Sequence, residues 1–251
     1  MPMPTFVSYG IPINYLDEGG GDPVVLVHGF ASNAKNNWVE PGWVRFLSPR
    51  YRVIALDQRG HGLSGKPHDS QSYDARMLAA DVVGLMDHLR IEKAFLMGYS
   101  MGAMVSLVLA MSHPWRFRAV VLGGIGGDSA TRSLEGRDAI IRALLIEKPD
   151  SIDDPVAKTF RTFAESNRND LKALAACLAC DRSRHDPQSL GRIALPVMLV
   201  IGTRDVLVAN ADKLATSIPG AELVTLEGRD HLNAVGDKRY KESVAKFFAA
   251  H

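Results

Sequence analysis

A serine placed between two glycines is the feature of this sequence that points most directly to chemistry. Residues 98–102 read GYSMG, with Ser100 at the centre, after one apolar run and before a longer one. A strand followed directly by a helix holds such a serine on a tight turn, where side chains in place of the glycines would collide. Its exposed hydroxyl can attack a carbonyl carbon, while the first amides of the helix stabilise the charge that develops on the oxygen. We predict that Ser100 is a nucleophile and that the amide of Met101 donates to this oxyanion.

A serine nucleophile needs a general base, and the base needs an acidic partner that orients it. His231, one of eight histidines, and Asp205 each follow a short apolar run. If these runs are parallel strands, their carboxyl ends meet at the edge of the sheet that also carries Ser100. We therefore predict His231 as the base and Asp205 as its partner, in the chain order Ser, Asp, His that this architecture requires. Asp230 is an alternative acid, disfavoured because adjacent side chains in an extended loop diverge.

A second donor for the oxyanion is predicted after an earlier apolar run. His28, Gly29 and Phe30 follow the run at 23–27 and reach the same edge. Glycine there allows the backbone to approach a ligand closely, so the amide of Phe30 is the predicted second donor. His28 is predicted to brace this loop rather than to react. We expect this chemistry to use no metal ion and no organic cofactor.

Short runs rich in Val, Ile and Leu recur along the chain and lack the polar alternation of half-exposed strands. This pattern indicates strands that are buried on both faces of a parallel sheet. Two earlier runs, 5–10 and 13–17, indicate an antiparallel hairpin of edge strands. The predicted parallel strands are Pro23–His28, Tyr51–Leu56, Ala94–Gly98, Arg118–Leu122, Pro196–Gly202 and Ala221–Leu226.

Helical patterns alternate with these strands and predict an α/β fold. Apolar residues recur at helical spacing from Leu78 to Leu89 and from Tyr240 to Phe248, so each helix has one apolar face. The stretch Met101–Met111 is apolar nearly all round, which indicates a helix at the centre of the molecule.

A long helical insert interrupts this alternation. About 70 residues separate the fourth and fifth of the predicted parallel strands, far more than a normal loop between elements. Asp154, followed by proline, and Asp170, preceded by asparagine, are helix start signals within it. We expect a core of residues 1–125 and 191–251, and a helical cap of residues 126–190 over the functional edge.

Composition and charge exclude several classes of function. The 29 Lys and Arg residues balance 28 Asp and Glu residues, without a basic run, so binding to nucleic acid or a membrane surface is not expected. No apolar run is long enough to span a membrane, and the first residues show no signal peptide, so the expected compartment is the cytoplasm. Cys177 and Cys180 are spaced as C-x-x-C, but their helical setting favours free thiols over a redox or zinc site.

Taken together, these motifs resemble those of the α/β-hydrolase fold superfamily over essentially the whole chain. The resemblance implies a mostly parallel eight-stranded sheet flanked by helices, with a helical cap inserted after the sixth strand. It implies Ser100 as nucleophile, His231 as base and Asp205 as its partner. It also implies that the turn at 57–64 is mainly structural, with Arg59 buttressing a loop. The segments that carry the resemblance are 28–29 (HG), 57–64 (DQRGHGLS), 98–102 (GYSMG), 202–205 (GTRD) and 230–231 (DH).

Within that superfamily, the residues favour a carboxylic ester hydrolase that forms an acyl-enzyme on Ser100. Relatives that are haloalkane dehalogenases or epoxide hydrolases carry aspartate at this position, so those activities are not expected. A lactonase or a carbon–carbon bond hydrolase with the same triad is an alternative, and so is a small-ligand receptor that retains a slow triad. The expected partner is a small to medium apolar ester, and no oligomeric state is predicted.

Apolar residues at the functional edge and in the cap are candidates for a substrate pocket that would suit an apolar acyl or alcohol group. We expect the cap to select substrates without contributing to the chemical step. The candidate pocket residues are Phe30, Ile125, Leu134, Leu144, Phe160, Phe163, Leu207 and Leu232.

Overall fold

Eight strands form one sheet in the computed structural model, which describes residues 3–127, 134–180 and 187–251. The strand order is β1-β2-β4-β3-β5-β6-β7-β8. The pairs β1–β2 and β2–β4 are antiparallel and the other five pairs are parallel, which confirms the mostly parallel sheet. The strands are β1 Thr5–Ser8, β2 Ile11–Gly19, β3 Asp22–Val27, β4 Tyr51–Leu56, β5 Ala94–Tyr99, β6 Phe117–Gly123, β7 Val197–Gly202 and β8 Glu222–Leu226.

The predicted hairpin is present, but its second strand does not lie at the edge of the sheet. β2 begins at Ile11, two residues earlier than predicted. Its first part, Ile11–Asn14, pairs with β1, and its second part, Tyr15–Gly19, pairs with β4. β2 therefore joins the edge strand to the parallel sheet, which an apolar pattern cannot reveal because it does not record which strands pair.

Helices cover both faces of the sheet and fill the insert between β6 and β7. None of the helices in the described part of the chain combines the length and apolar character that a membrane span requires. Both cysteines belong to one helical segment and form no disulfide, with Cys177 inside α6 and Cys180 at its end. The helices are α1 Trp43–Leu47, α2 Ala75–His88, α3 Met101–Ser112, α4 Leu134–Leu145, α5 Pro155–Ser166, α6 Leu171–Ala179, α7 Pro187–Leu190, α8 Ala211–Ser217 and α9 Lys238–Ala250.

Two helices of the insert begin where the sequence signals place them. The carboxylate of Asp154 accepts a hydrogen bond from the amide of Ala157, and that of Asp170 accepts from the amide of Ala173. Each aspartate satisfies donors that the first helical turn leaves without a partner.

The hydrophobic core consists of three clusters. One cluster packs α2 and α3 against one face of the sheet, and another packs α1 and α9 against the opposite face. The third lies between α4, α5 and α6, where Leu144, Ala157 and Leu174 are almost completely buried. The insert therefore has a small core of its own.

The turn at 57–64 is held together by buried charges. The carboxylate of Asp57 accepts hydrogen bonds from the amides of Ala34 and Leu63, both at 2.8 Å. The guanidinium of Arg59 pairs with both oxygens of Asp81 on α2, at 2.7 and 2.6 Å, and both side chains are 1% exposed. Arg59 thus ties the turn to α2, in the bracing role that the resemblance implied.

Asp81→Asn should lower the free energy of unfolding by about 3–5 kcal/mol, because it leaves the Arg59 guanidinium buried without its counter-charge. The matched control is Asp87→Asn on the same helix, where the carboxylate is 63% exposed and pairs with Arg116. That change should cost less than about 1 kcal/mol. Urea denaturation measures the free energy of unfolding of both variants. Equal losses would show that the buried Arg59–Asp81 pair stabilises the fold no more than the exposed pair does.

Candidate active site

The tight turn between β5 and α3 presents Ser100 at the carboxyl edge of the sheet. Ser100 has φ +53°, a left-handed conformation that costs free energy for a residue with a side chain. A Cβ on Gly98 would overlap the carbonyl of Gly102, and a Cβ on Gly102 would overlap the carbonyl of Val27. The two glycines therefore allow the helix to approach the strands closely enough to force the turn. The amide of Ser100 donates to the carbonyl of Gly123 at 2.8 Å and anchors it to β6.

The structure brings His231 and Asp205 together across the same edge. Nδ1 of His231 donates to Oδ2 of Asp205 at 2.7 Å, and the carboxylate is completely buried. Oδ1 of Asp205 accepts from the amide of Leu207 at 3.0 Å, which fixes the carboxylate. Because Asp205 holds the proton on Nδ1, the neutral imidazole keeps Nε2 available as an acceptor.

Asp230, the alternative acid, directs its carboxylate into its own turn. It accepts hydrogen bonds from the amides of Leu232 and Asn233, both at 2.9 Å, and from the side-chain amide of Asn233 at 2.7 Å. Asp230 thus shapes the loop that carries His231, while Asp205 contacts the imidazole.

Tyr99 contacts both the backbone and the ring of His231, which the sequence analysis did not predict. Its hydroxyl donates to the backbone carbonyl of His231 at 2.6 Å, and the two rings lie 5.4 Å apart. Burial raises the pKa of the Tyr99 hydroxyl well above its usual range, so the group remains a donor. The sequence contains no signal for this contact, because no motif marks a tyrosine at the end of a strand that donates to a loop carbonyl.

His28 braces the loop that follows β3. Its Nδ1 lies 2.7 Å from the carbonyl of Gly29, and its Nε2 accepts from the amide of Gln58 at 2.9 Å. Burial lowers the pKa of His28, so the ring is neutral and makes one donor and one acceptor contact. This arrangement is structural and leaves neither nitrogen for proton transfer with a substrate.

The amides predicted to bind the oxyanion flank Ser100. The backbone of Gly29 lies so close to the elbow that an added Cβ would stand 3.3 Å from the Cβ of Ser100. Among the described residues, the amide of Phe30 has no protein acceptor. Met101 is the first residue of α3, and an amide in the first turn has no acceptor within its own helix. Both donors are thus available to a bound group.

A cavity of about 540 Å³ opens above Ser100, between the sheet edge and α5. Ser100 and His231 line it together. Five of the eight predicted pocket residues line its apolar wall, namely Phe30, Phe160, Phe163, Leu207 and Leu232. The side chains of the other three lie elsewhere or outside the described residues.

Two of the predicted pocket residues, Ile125 and Leu144, do not line this cavity. Ile125 is 5% exposed and packs in the core beside α3, and Leu144 is 1% exposed and packs inside the core of the insert. Apolar character alone does not show on which side of a helix or strand a residue is buried. The side chain of Leu134 lies outside the described residues.

The cavity also has a polar wall that the sequence did not indicate. Its uncharged members come from the segment after β3 and from α5, and two carboxylates, Glu40 and Asp230, lie beside them. No lysine or arginine lines the cavity among residues 3–127, 134–180 and 187–251. In the same ranges, no three His, Cys, Asp or Glu side chains form a cluster that could hold a metal ion. The uncharged polar residues are Ser32, Asn36, Asn37, Thr159 and Asn167.

The sequence of this chain is similar to known protein families and proteins. The profile of the family described as alpha/beta hydrolase fold matches residues 22–162. The chain is 30% identical to 2-(acetamidomethylene)succinate hydrolase of Mesorhizobium japonicum, over 96% of this chain and 92% of that protein.

Two further comparisons extend the similarity. The chain is 35% identical to the dihydrolipoyllysine-residue acetyltransferase component of the acetoin cleaving system of Pseudomonas putida, over 85% of its own length. It spans only 59% of that longer protein. The crystal structure of the enol-lactonase from Burkholderia xenovorans superimposes with a TM-score of 0.77, at 27% identity, over 98% of this chain and 100% of that one.

Asp205→Asn should slow the phosphonylation of Ser100 by a small organophosphorus fluoride about 10²–10⁴-fold, because asparagine favours the wrong imidazole tautomer. Asp230→Asn should slow it far less, since that carboxylate contacts only its own turn. Intact-mass spectrometry over time measures the rate in each variant. A larger effect at Asp230 than at Asp205 would show that the acid is misassigned.

Proposed function

Because the chain belongs to the alpha/beta hydrolase family, we propose that it is a serine hydrolase that cleaves carboxylic esters through an acyl-enzyme on Ser100. The observation that carries the proposal is the His231–Asp205 hydrogen bond of 2.7 Å beside a strained, half-buried serine. A serine, a histidine and an aspartate in this relation support nucleophilic attack on an acyl group.

In the proposed mechanism, Oγ of Ser100 attacks the ester carbonyl carbon while Nε2 of His231 takes its proton. The amides of Phe30 and Met101 hold the negative oxygen of the tetrahedral intermediate. Asp205 stabilises the imidazolium, which then gives its proton to the leaving alcohol. Water, deprotonated by His231, then attacks the acyl-enzyme. His231 returns that proton to Oγ of Ser100 as the bond between Oγ and the acyl carbon breaks and the acid leaves.

The wall of the cavity favours uncharged substrates. An ionised substrate carboxylate would lose its hydration there without gaining a cationic partner from the described residues, at a considerable cost in free energy. Glu40 and Asp230 would repel it further. The Mesorhizobium relative is named for a succinate derivative, which is anionic, so this chain is proposed to act on a different, uncharged class of ester.

An uncharged lactone is the second candidate substrate. The similarity to a solved enol-lactonase favours it, and a lactone is an internal ester that the same three residues can open. Measuring kcat/KM for three substrates separates the candidates. The substrates are a neutral aryl ester, the same ester with a terminal carboxylate on its acyl chain, and a neutral lactone. A vinylogous diketone tests carbon–carbon cleavage in the same assay. We expect the neutral ester to have the highest kcat/KM.

Ser100→Ala should reduce kcat/KM for the neutral aryl ester by at least about 10³-fold, since the change removes the nucleophile itself. The fold should remain intact, because the hydroxyl makes no hydrogen bond within the described part of the chain. Steady-state assays with thermal unfolding as the folding control measure both. A folded variant that keeps more than a tenth of the activity would remove Ser100 from the mechanism.

Phe160→Ala and Phe163→Ala should shift the preferred acyl chain of the ester, because both rings line the apolar wall. Each methylene accommodated or excluded changes specificity by about 1–3 kcal/mol. A chain-length series of aryl esters measures the shift, with phosphonylation of Ser100 by the small reagent as the control for intact chemistry. An unchanged chain-length preference in both variants would show that the acyl group contacts neither ring.

A further inference from the structure

The loop that carries the oxyanion amide of Phe30 contains a strained residue. Ala31 has φ +57° and is completely buried. A residue with a side chain persists in this left-handed region only where its surroundings hold it there. The structure therefore has to supply contacts that fix Ala31, and with it the preceding residue.

Those contacts come from the insert. Nδ2 of Asn167 donates to the carbonyl of Ala31 at 3.0 Å, and Nδ2 of Asn169 donates to the same oxygen at 2.7 Å. Both asparagines lie in the turn between α5 and α6, which is more than 130 residues away along the chain. The amide of Asn169 donates to the carbonyl of Ala164 at 3.0 Å, which ties that turn to α5.

Two further asparagines, which follow β3, complete the arrangement. Nδ2 of Asn36 donates to Oδ1 of Asn167 and so fixes the orientation of that side-chain amide. Oδ1 of Asn37 accepts from the amide of Gly29 at 3.0 Å. The loop is thus held on both sides of Phe30, at the Gly29 amide and at the Ala31 carbonyl, while the Phe30 amide itself stays available.

The insert also contacts the second oxyanion residue. Sγ of Cys177 on α6 lies 3.8 Å from Sδ of Met101, in a buried contact. The two residues predicted to provide oxyanion amides are therefore both supported by the segment between α5 and the end of α6.

We propose that Asn167 and Asn169 are positioning residues, which orient the Phe30 amide by fixing the Ala31 carbonyl. The proposal rests on the function proposed above, since it assumes that Phe30 donates to an oxyanion. It departs from the expectation that the cap only selects substrates.

A purely structural role and a positioning role differ in what they change. If the asparagines only stabilise the fold, their loss lowers the melting temperature and leaves the folded enzyme with normal kcat. If they orient an oxyanion donor, kcat falls, because the loss of one such donor costs about 10²–10³-fold in kcat. KM for a ground-state ester changes little, since the interaction develops in the transition state.

The experiment compares Asn167→Ala, Asn169→Ala and Asn169→Asp with wild type. Asn169→Asp keeps the size of the side chain but replaces its donor with an acceptor, so it guards against effects of lost packing. Ser166→Ala, at the last residue of α5 beside the turn to α6, is the matched control, because its exposed hydroxyl donates to the carbonyl of Phe163 in its own helix. The readouts are kcat and KM for the neutral aryl ester, the rate of Ser100 phosphonylation, and the melting temperature.

We expect kcat and the phosphonylation rate to fall together by about 5–50-fold in each Asn169 variant, a part of the loss of a whole oxyanion donor. KM should stay within about threefold, and Ser166→Ala should match wild type. Rates within about twofold of wild type in the folded variants would overturn the proposal.

The proposed function fails separately, if wild type hydrolyses no ester or if Ser100→Ala remains active. The phosphonylation rate still tests the asparagines in that case, because it reports on Ser100 and its amide donors without an ester.

Discussion

The close packing of α3 against the ends of β3 and β5 is the constraint on which the rest of the site depends. Glycine at 98 and 102 permits that approach, and the approach forces Ser100 into a left-handed turn. A more relaxed turn would let the serine point back into the protein. The strain is sustained by the buried sheet below it, because β5 is buried along its whole length and cannot shift to relieve it.

Parallel topology then determines which other residues can reach the serine. Asp205 and His231 follow β7 and β8, so their loops emerge at the same edge as Ser100 although 105 and 131 positions separate them from it along the chain. The buried carboxylate fixes the imidazole through Nδ1, and Tyr99 fixes the backbone behind it. On the other side, four asparagines hold the loop of Phe30. Both halves of the site are thus preorganised by hydrogen bonds between distant segments.

The residues with a local sequence signature were predictable, and those that act through long-range contacts were not. Ser100 has a turn motif, and Asp205 and His231 follow recognisable strands, so spacing and topology were sufficient to select them. Tyr99, Asn167 and Asn169 have no such signature, because each acts by a hydrogen bond to a backbone carbonyl of a distant loop, and no motif marks such a contact. Ile125 and Leu144 pack in core clusters instead of lining the cavity, and the sequence could not show this because apolar spacing marks burial without distinguishing a core from a cavity wall. The strands were predicted well because continuous apolar runs have few alternatives in a sheet covered on both faces.

The covalent intermediate on Ser100 is the central claim, and its direct detection is the most decisive measurement. The protein is mixed with an uncharged aryl ester of a slowly hydrolysed acyl group, quenched in acid within the first turnover, digested and mapped by mass spectrometry. We expect a burst of the aryl alcohol close to one equivalent per protein, together with the acyl mass on the peptide that contains Ser100. Release of the alcohol without any acylated peptide, or with the acyl group on another residue, would contradict the account.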